Sequence, residues 1–125
     1  MTFRDYMKEE NTISFENMDE IYEKMLNEIE TDSEARELYT ELVKKANAYA
    51  QIRSNWCFLS TKEKQDTDEK RTMTHDSLIV KFNQLARYLK QIGKMADWRD
   101  DLGEERKRIG DMGCYISFVS ALSSR

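Results

Sequence analysis

The chain has no proline, four glycines and a single histidine in 125 residues. Without proline, no helix is interrupted by a missing N–H donor. Two cysteines, Cys57 and Cys114, form no CxxC pair. With one histidine they leave a tetrahedral zinc site short of ligands, and both are expected as buried, reduced thiols. No stretch approaches the roughly 18 apolar residues of a membrane span. Residues 1–10 contain no apolar run of signal length, so a cytoplasmic location is expected. GxxxxGKS/T and GxGxxG phosphate loops are absent, as are an EF-hand loop and Glu-x-x-His pairs. No nucleophile–base set stands at a recognisable spacing. Net charge is −4, split as −6 over residues 1–60 and +2 over residues 61–125. With no basic block, a nucleic-acid partner is not expected. Nor is a membrane, a metal or a cofactor.

Charge and helix formers dominate what remains. Charged residues make up 35% and hydrophobic ones 39%, with 10% aromatic. That balance argues against disorder and for an all-α chain with solvated faces. Met18, Ile21, Tyr22, Met25, Leu26 and Ile29 keep a three-four spacing and predict a helix over 18–30. Asn17 and Glu20 resemble a capping box at its start. Thr31 and Glu34 form the next candidate, opening a helix over 32–60 on Ala35, Leu38, Leu42, Tyr49, Ile52, Trp56 and Leu59. Arg53 lies in the adjoining row and is expected to snorkel at the bundle edge. Residues 61–74 are polar and predict a loop; it is longer than most helix–helix connections, so the alternative is that the flanking helices extend into it as solvated ends. Leu78, Phe82, Leu85, Leu89, Ile92 and Ala96 predict a helix over 75–95, capped by Thr74 and stopped near Gly93. A last helix over 101–123 completes an expected four-helix bundle, with a short N-terminal helical extension through Phe3, Tyr6 and Met7. Short connections near 31 and 97–101 imply antiparallel neighbours. One domain is expected at this length.

The last helix has two unlike rows. Leu102, Ile109, Met112, Ile116 and Val119 form an apolar face. One position on, Gly103, Gly110, Gly113, Ser117, Ser120 and Ser124 carry almost no side chain. An interior glycine costs a helix about 1 kcal/mol relative to alanine, so close helix packing is expected to compensate. Packing inside the monomer is the simpler reading; packing across a homodimer is the other. The uncharged half, Met112–Leu122, should be the most buried helical segment of the bundle or lie in an interface.

Candidate contacts for a ligand or partner are His75, Arg87, Trp98, Arg99, Glu105, Arg106 and Asp111. His75 would face a ligand beside Arg71 if its helix extends that far. More simply, it bonds backbone or Asp76 at a helix start. Glu105 falls on the apolar azimuth, where Arg87 or Arg99 could pair with it. Trp98 would wall a polar pocket at this end, or the charges would form a fixed salt-bridge cluster. Lys107 and Asp111, four apart, read as solvated-surface support.

R-T-M-T-H-D (71–76), L-A-R-Y-L (85–89), D-W-R (97–99) and L-G-E-E-R-K-R-I-G-D-M-G-C-Y-I (102–116) give the second half, Arg71–Arg125, its likeness. It resembles a family of small all-helical bacterial proteins, a domain with no assigned activity. That resemblance implies a helical fold and a bacterial cytosolic setting. It transfers no catalytic residue. Three functions follow as expectations. The first is a non-enzymatic protein acting through protein–protein contacts, with itself as a homodimer or with an unidentified protein partner. The second is a small-ligand binder or enzyme with a polar pocket at the Trp98/Arg106 end. The third is an inhibitor or immunity-type accessory protein of a mobile element.

Overall fold

The computed structural model describes residues 13–123, which form five helices and no strand. The expected turn through Phe3, Tyr6 and Met7 lies outside the described residues. Helix α1 is Phe15–Ile29, α2 Ser33–Trp56, α3 Thr61–Gln91, α4 Asp97–Leu102 and α5 Arg106–Ser123.

The first three helices each start at a short polar side chain that satisfies an orphan amide. Ser14 caps α1, accepting from the Asn17 N–H at 3.2 Å. Asp32 caps α2, accepting from the Ala35 N–H at 2.9 Å. The expected caps, Asn17 and Thr31, are therefore displaced to Ser14 and Asp32.

The largest correction concerns residues 61–74. They are not a loop but the first half of α3. Ser60 and Glu63 form a full capping box, with each side chain bonded to the other's backbone N–H. Lys, Glu, Gln and Arg are good helix formers without needing a packed face, and most of this stretch is exposed. Thr74 is no cap; its hydroxyl donates to the Lys70 carbonyl within the helix. Gly93, at φ 90°, ends α3 as expected. The Gly93 N–H donates to the Lys90 carbonyl and the Lys94 N–H to that of Leu89, a Schellman arrangement.

The helix expected over 101–123 is in fact two. Gly103, at φ 80°, caps α4, and α5 begins at Arg106. Between α3 and α4, Ala96 takes a left-handed φ of 50° while its N–H donates to Glu28.

Side-chain pairs fix the register. Asp32 with Tyr88, Glu41 with Lys81, and Tyr49 with His75 run α2 and α3 antiparallel. Asn47 with Ser117, and Arg53 with Asp111, do the same for α2 and α5. Tyr22 with Tyr39 gives the expected antiparallel α1–α2 hairpin. It follows that α3 and α5 run parallel, with His75 beside Arg106 and Leu78 beside Gly113. This corrects the antiparallel expectation for that pair. From Gln91 back to the level of His75 is ~24 Å of helix. The connector containing α4 makes that return, and Arg99 bonds Asn83 on the way.

The core draws on all five helices, with Met18, Met25, Leu42, Leu78, Phe82, Leu85, Trp98, Leu102 and Met112 fully enclosed. Helix α5 is buried on every side from Ile109 to Ile116. The buried run thus begins earlier and ends earlier than the expected Met112–Leu122. The glycine row explains the start. Gly110 meets Tyr49 and His75, and a Cβ on Gly113 would lie 2.4 Å from Leu78 Cδ2. Beyond Ile116 the residues are only partly buried or exposed, Leu122 among them.

Candidate functional site

Helix α2 places Tyr49, Arg53 and Trp56 at i, i+4 and i+7, on one face. Helix α3 places Arg71 and His75 one turn apart, with Thr72 and Asp76 on the next row. Helix α5 opens with Arg106 and Lys107. These side chains line a pocket of about 680 Å³ between the three helices.

Gly110 makes its inner wall possible. A Cβ there would come 2.9 Å from Tyr49 Oη and 3.1 Å from His75 Nε2. Its absence lets the Tyr49 and His75 rings stack, centroids 4.8 Å apart and 18° from parallel. His75 Nε2–H donates to the Arg106 carbonyl at 2.9 Å. Its Nδ1 accepts from Arg106 Nη2 at 3.2 Å. Burial, and then the Arg106 charge, push the His75 pKa below its ordinary 6.5. The ring is therefore neutral at pH 7, with both nitrogens engaged by one residue.

Three guanidiniums differ in what holds them. Arg53 is buried, with Nη2 on Asp111 Oδ1 and Nη1 3.9 Å from Cys114 Sγ. Asp111 has no exposed surface. Arg106 Nη2 meets Asp76 at 2.6 Å, but both side chains are 55% exposed. Arg71 lies over the Trp56 ring, its Cζ 4.5 Å from the centroid. Its Nη2 meets exposed Asp68 at 3.1 Å. Among the described residues its buried Nε–H has no hydrogen-bond partner, so the indole and the exposed Asp68 are what hold the group.

Magnitudes separate these pairs. An exposed ion pair contributes about 0–1 kcal/mol. Breaking a buried pair from one side costs about 3–5 kcal/mol. An incoming anion can therefore displace Asp68 and Asp76, whereas Arg53–Asp111 stays as structure. The lining carries four cationic side chains and one carboxylate, on a chain whose net charge is −4.

Of the residues expected from sequence, His75 and Arg106 meet here, and Asp111 lies behind Arg53. The others do not join them. Trp98 is wholly buried and donates its indole N–H to Glu28 at 2.7 Å, so it holds α4 to α1 and walls no pocket. Arg99 is buried against Asn83 and the Gly103 carbonyl, which it reaches at 2.7 Å, and so braces the α4–α5 turn. Arg87 and Glu105 are exposed. Glu105 precedes α5, so the helical azimuth that aimed it inward does not apply. Arg53 does not snorkel, and Asp111 is buried rather than on a solvated surface. Cys57 is exposed, contrary to expectation, and Cys114 is buried. In the small-residue row, Gly110 and Gly113 pack within the monomer, Ser117 Oγ bonds Asn47 Oδ1 at 2.6 Å, and Gly103 serves a turn.

Sequence reasoning passed over Tyr49, Trp56 and Lys107 as site residues. The available signal was a polar residue on a buried azimuth: Arg53 between Tyr49 and Trp56, and Arg71 one turn before His75. Among the described residues, no three His, Cys, Asp or Glu side chains cluster to hold a metal, and no helix is long and apolar enough to cross a membrane. No protein-family model matches the chain, and no curated protein or solved structure does so either.

Proposed function

We propose that this protein is a non-enzymatic binding protein that takes an anionic ligand in the pocket between α2, α3 and α5. One observation carries this: Arg71 and Arg106 line one pocket, and the carboxylate that each holds is exposed, so that an anion can replace it. Bidentate arginine contacts to phosphate or carboxylate are among the strongest polar interactions available. Binding rather than catalysis is favoured by His75. Both its ring nitrogens are occupied by Arg106, which leaves neither to exchange a proton with a ligand. The second of the expected functions is thereby moved from the Trp98 end to the His75/Arg106 pocket. The reading treats the molecule as a four-helix bundle of α1, α2, α3 and α5 working in a bacterial cytoplasm.

Calorimetric titration with inorganic pyrophosphate at low salt tests it. Binding is expected for the parent and for Arg87→Gln, whose side chain is exposed and outside the pocket. It should be lost in Arg71→Gln/Arg106→Gln. Equal affinity in all three, or none in the parent, overturns the proposal.

A second reading, contact with another protein, is favoured by a different surface. Met73 and Val80, seven residues apart on α3, are 62% and 51% exposed. Such a stripe suits a protein partner or a second copy of the chain, and an inhibitor or immunity-type role would use it. Light scattering of the parent against Met73→Lys/Val80→Lys tests the homodimer form: a monomeric parent at micromolar concentration ends it.

A further inference from the structure

The pocket is built in two unlike halves, and together they fit one kind of anion. On one side the Arg71 guanidinium lies over the Trp56 indole, its Cζ 4.5 Å from the ring centroid. Its side chain is 41% exposed, which leaves part of it within reach of a ligand. A planar cation held this way is a stacking platform for another planar ring. Across the pocket α5 begins with Arg106 and Lys107 and has no acidic residue in its first turn. Cations at the positive end of a helix dipole are unfavourable unless an anion joins them, and the first amides of a helix are natural phosphate donors. The space, about 680 Å³, lies within the usual range of a small-molecule site.

We infer that the ligand is a free nucleoside monophosphate, its base stacked on Arg71 and its phosphate held by Arg106, Lys107 and the first turn of α5. This rests on the anion-binding reading above and adds the ring. The neutral His75 and the Tyr49 ring stacked on it form the wall between the two halves. The negative net charge of the chain disfavours a long polyanion and favours a single nucleotide.

Titration with AMP, ribose 5-phosphate, adenosine, inorganic pyrophosphate and a 5′-phosphorylated tetranucleotide tests it, read by calorimetry and by Trp56 fluorescence. AMP should bind about tenfold or more tighter than ribose 5-phosphate, as base stacking contributes on that scale, and tighter than adenosine, which lacks the phosphate and its charge-assisted hydrogen bonds. Trp56→Leu should bring AMP down to the level of ribose 5-phosphate, and Arg106→Gln down to that of adenosine. Unchanged circular dichroism melting of both variants would show that the fold is intact. Ribose 5-phosphate binding as tightly as AMP overturns the ring subsite but leaves the anion reading standing if pyrophosphate binds. A tetranucleotide binding more tightly than AMP overturns the free mononucleotide. No binding of any compound overturns both readings.

Discussion

Asp111, with no exposed surface, holds its carboxylate against the guanidinium of Arg53, itself 91% buried at the side chain. The pair joins α5 to α2 directly behind the pocket. Removing one partner strands the other charge in the core. Asp111→Asn is therefore expected to cost about 3–5 kcal/mol of folding stability, read as a lower midpoint in urea denaturation. The double variant Arg53→Met/Asp111→Leu removes both charges and should recover most of that loss. If the double variant is no more stable than Asp111→Asn, the pair is not what fixes this contact.

Gly110 is the residue on which the Tyr49–His75 stack depends. Alanine is the better helix former by about 1 kcal/mol, so in open space Gly110→Ala would stabilise α5. Here its methyl would meet two stacked rings at 2.9 and 3.1 Å. Overpacking a filled site costs about 1–3 kcal/mol, so the net effect is expected to be destabilising. The variant should also weaken anion binding, since the rings must separate. Thermal denaturation and pyrophosphate titration of Gly110→Ala check both, and a raised melting temperature would show that the stack yields at no cost.

His75 makes the fold pH-dependent in one direction. Burial, followed by the Arg106 charge, lowers its pKa in the folded state. The neutral ring is favoured by the fold, so its contribution is complete above the unfolded value of about 6.5. It is lost as pH falls through the lower, folded value. With one histidine in the chain, its ring resonances in proton NMR need no assignment. Their titration midpoint should fall below 6.5, and His75→Gln should flatten the decline in stability on going from neutral to mildly acidic pH. A midpoint above 6.5 would mean that Asp76 outweighs burial and Arg106.

How far the sequence disclosed all this depended on which physical signal each part used. Helix α1 was legible because Met18, Ile21, Met25 and Ile29 face one core, and periodicity reports one-sided burial. The N-terminal half of α3 was not, since a helix bathed in solvent has no apolar period. Its surviving signal was the Ser60/Glu63 capping box, with no glycine or proline after it until Gly93. The parallel α3–α5 pair was hidden because a short polar connector reads as a hairpin, whereas this one runs back along α3. Arg99 and Glu105, expected near one another at the site, lie outside the pocket. Arg53, Arg71 and Arg106 lie on three helices and meet only through the register of the fold. What the sequence did carry was the row of Gly110 and Gly113, whose cost required a close neighbour, and His75 with Arg71, whose pairing waited on the helix that joins them.

The two cysteines offer a readout of the same core. Cys57 is exposed after the end of α2. Cys114 is fully buried, and burial pushes its thiol up to about 12. At pH 8 a thiol reagent should modify one cysteine per native chain rapidly and the second only in denaturant, since the thiolate is the reactive form. Cys57→Ser should leave a native protein that reacts at the rate of its opening. Because Cys114 Sγ lies 3.9 Å from Arg53 Nη1, that opening must disturb the Arg53–Asp111 pair. Adding Asp111→Asn to Cys57→Ser should then accelerate labelling by about the factor that its loss of stability sets, on the order of 100-fold or more for 3 kcal/mol. Labelling of Cys114 at the rate of Cys57 in the parent would contradict the burial on which the whole arrangement of α2 and α5 rests.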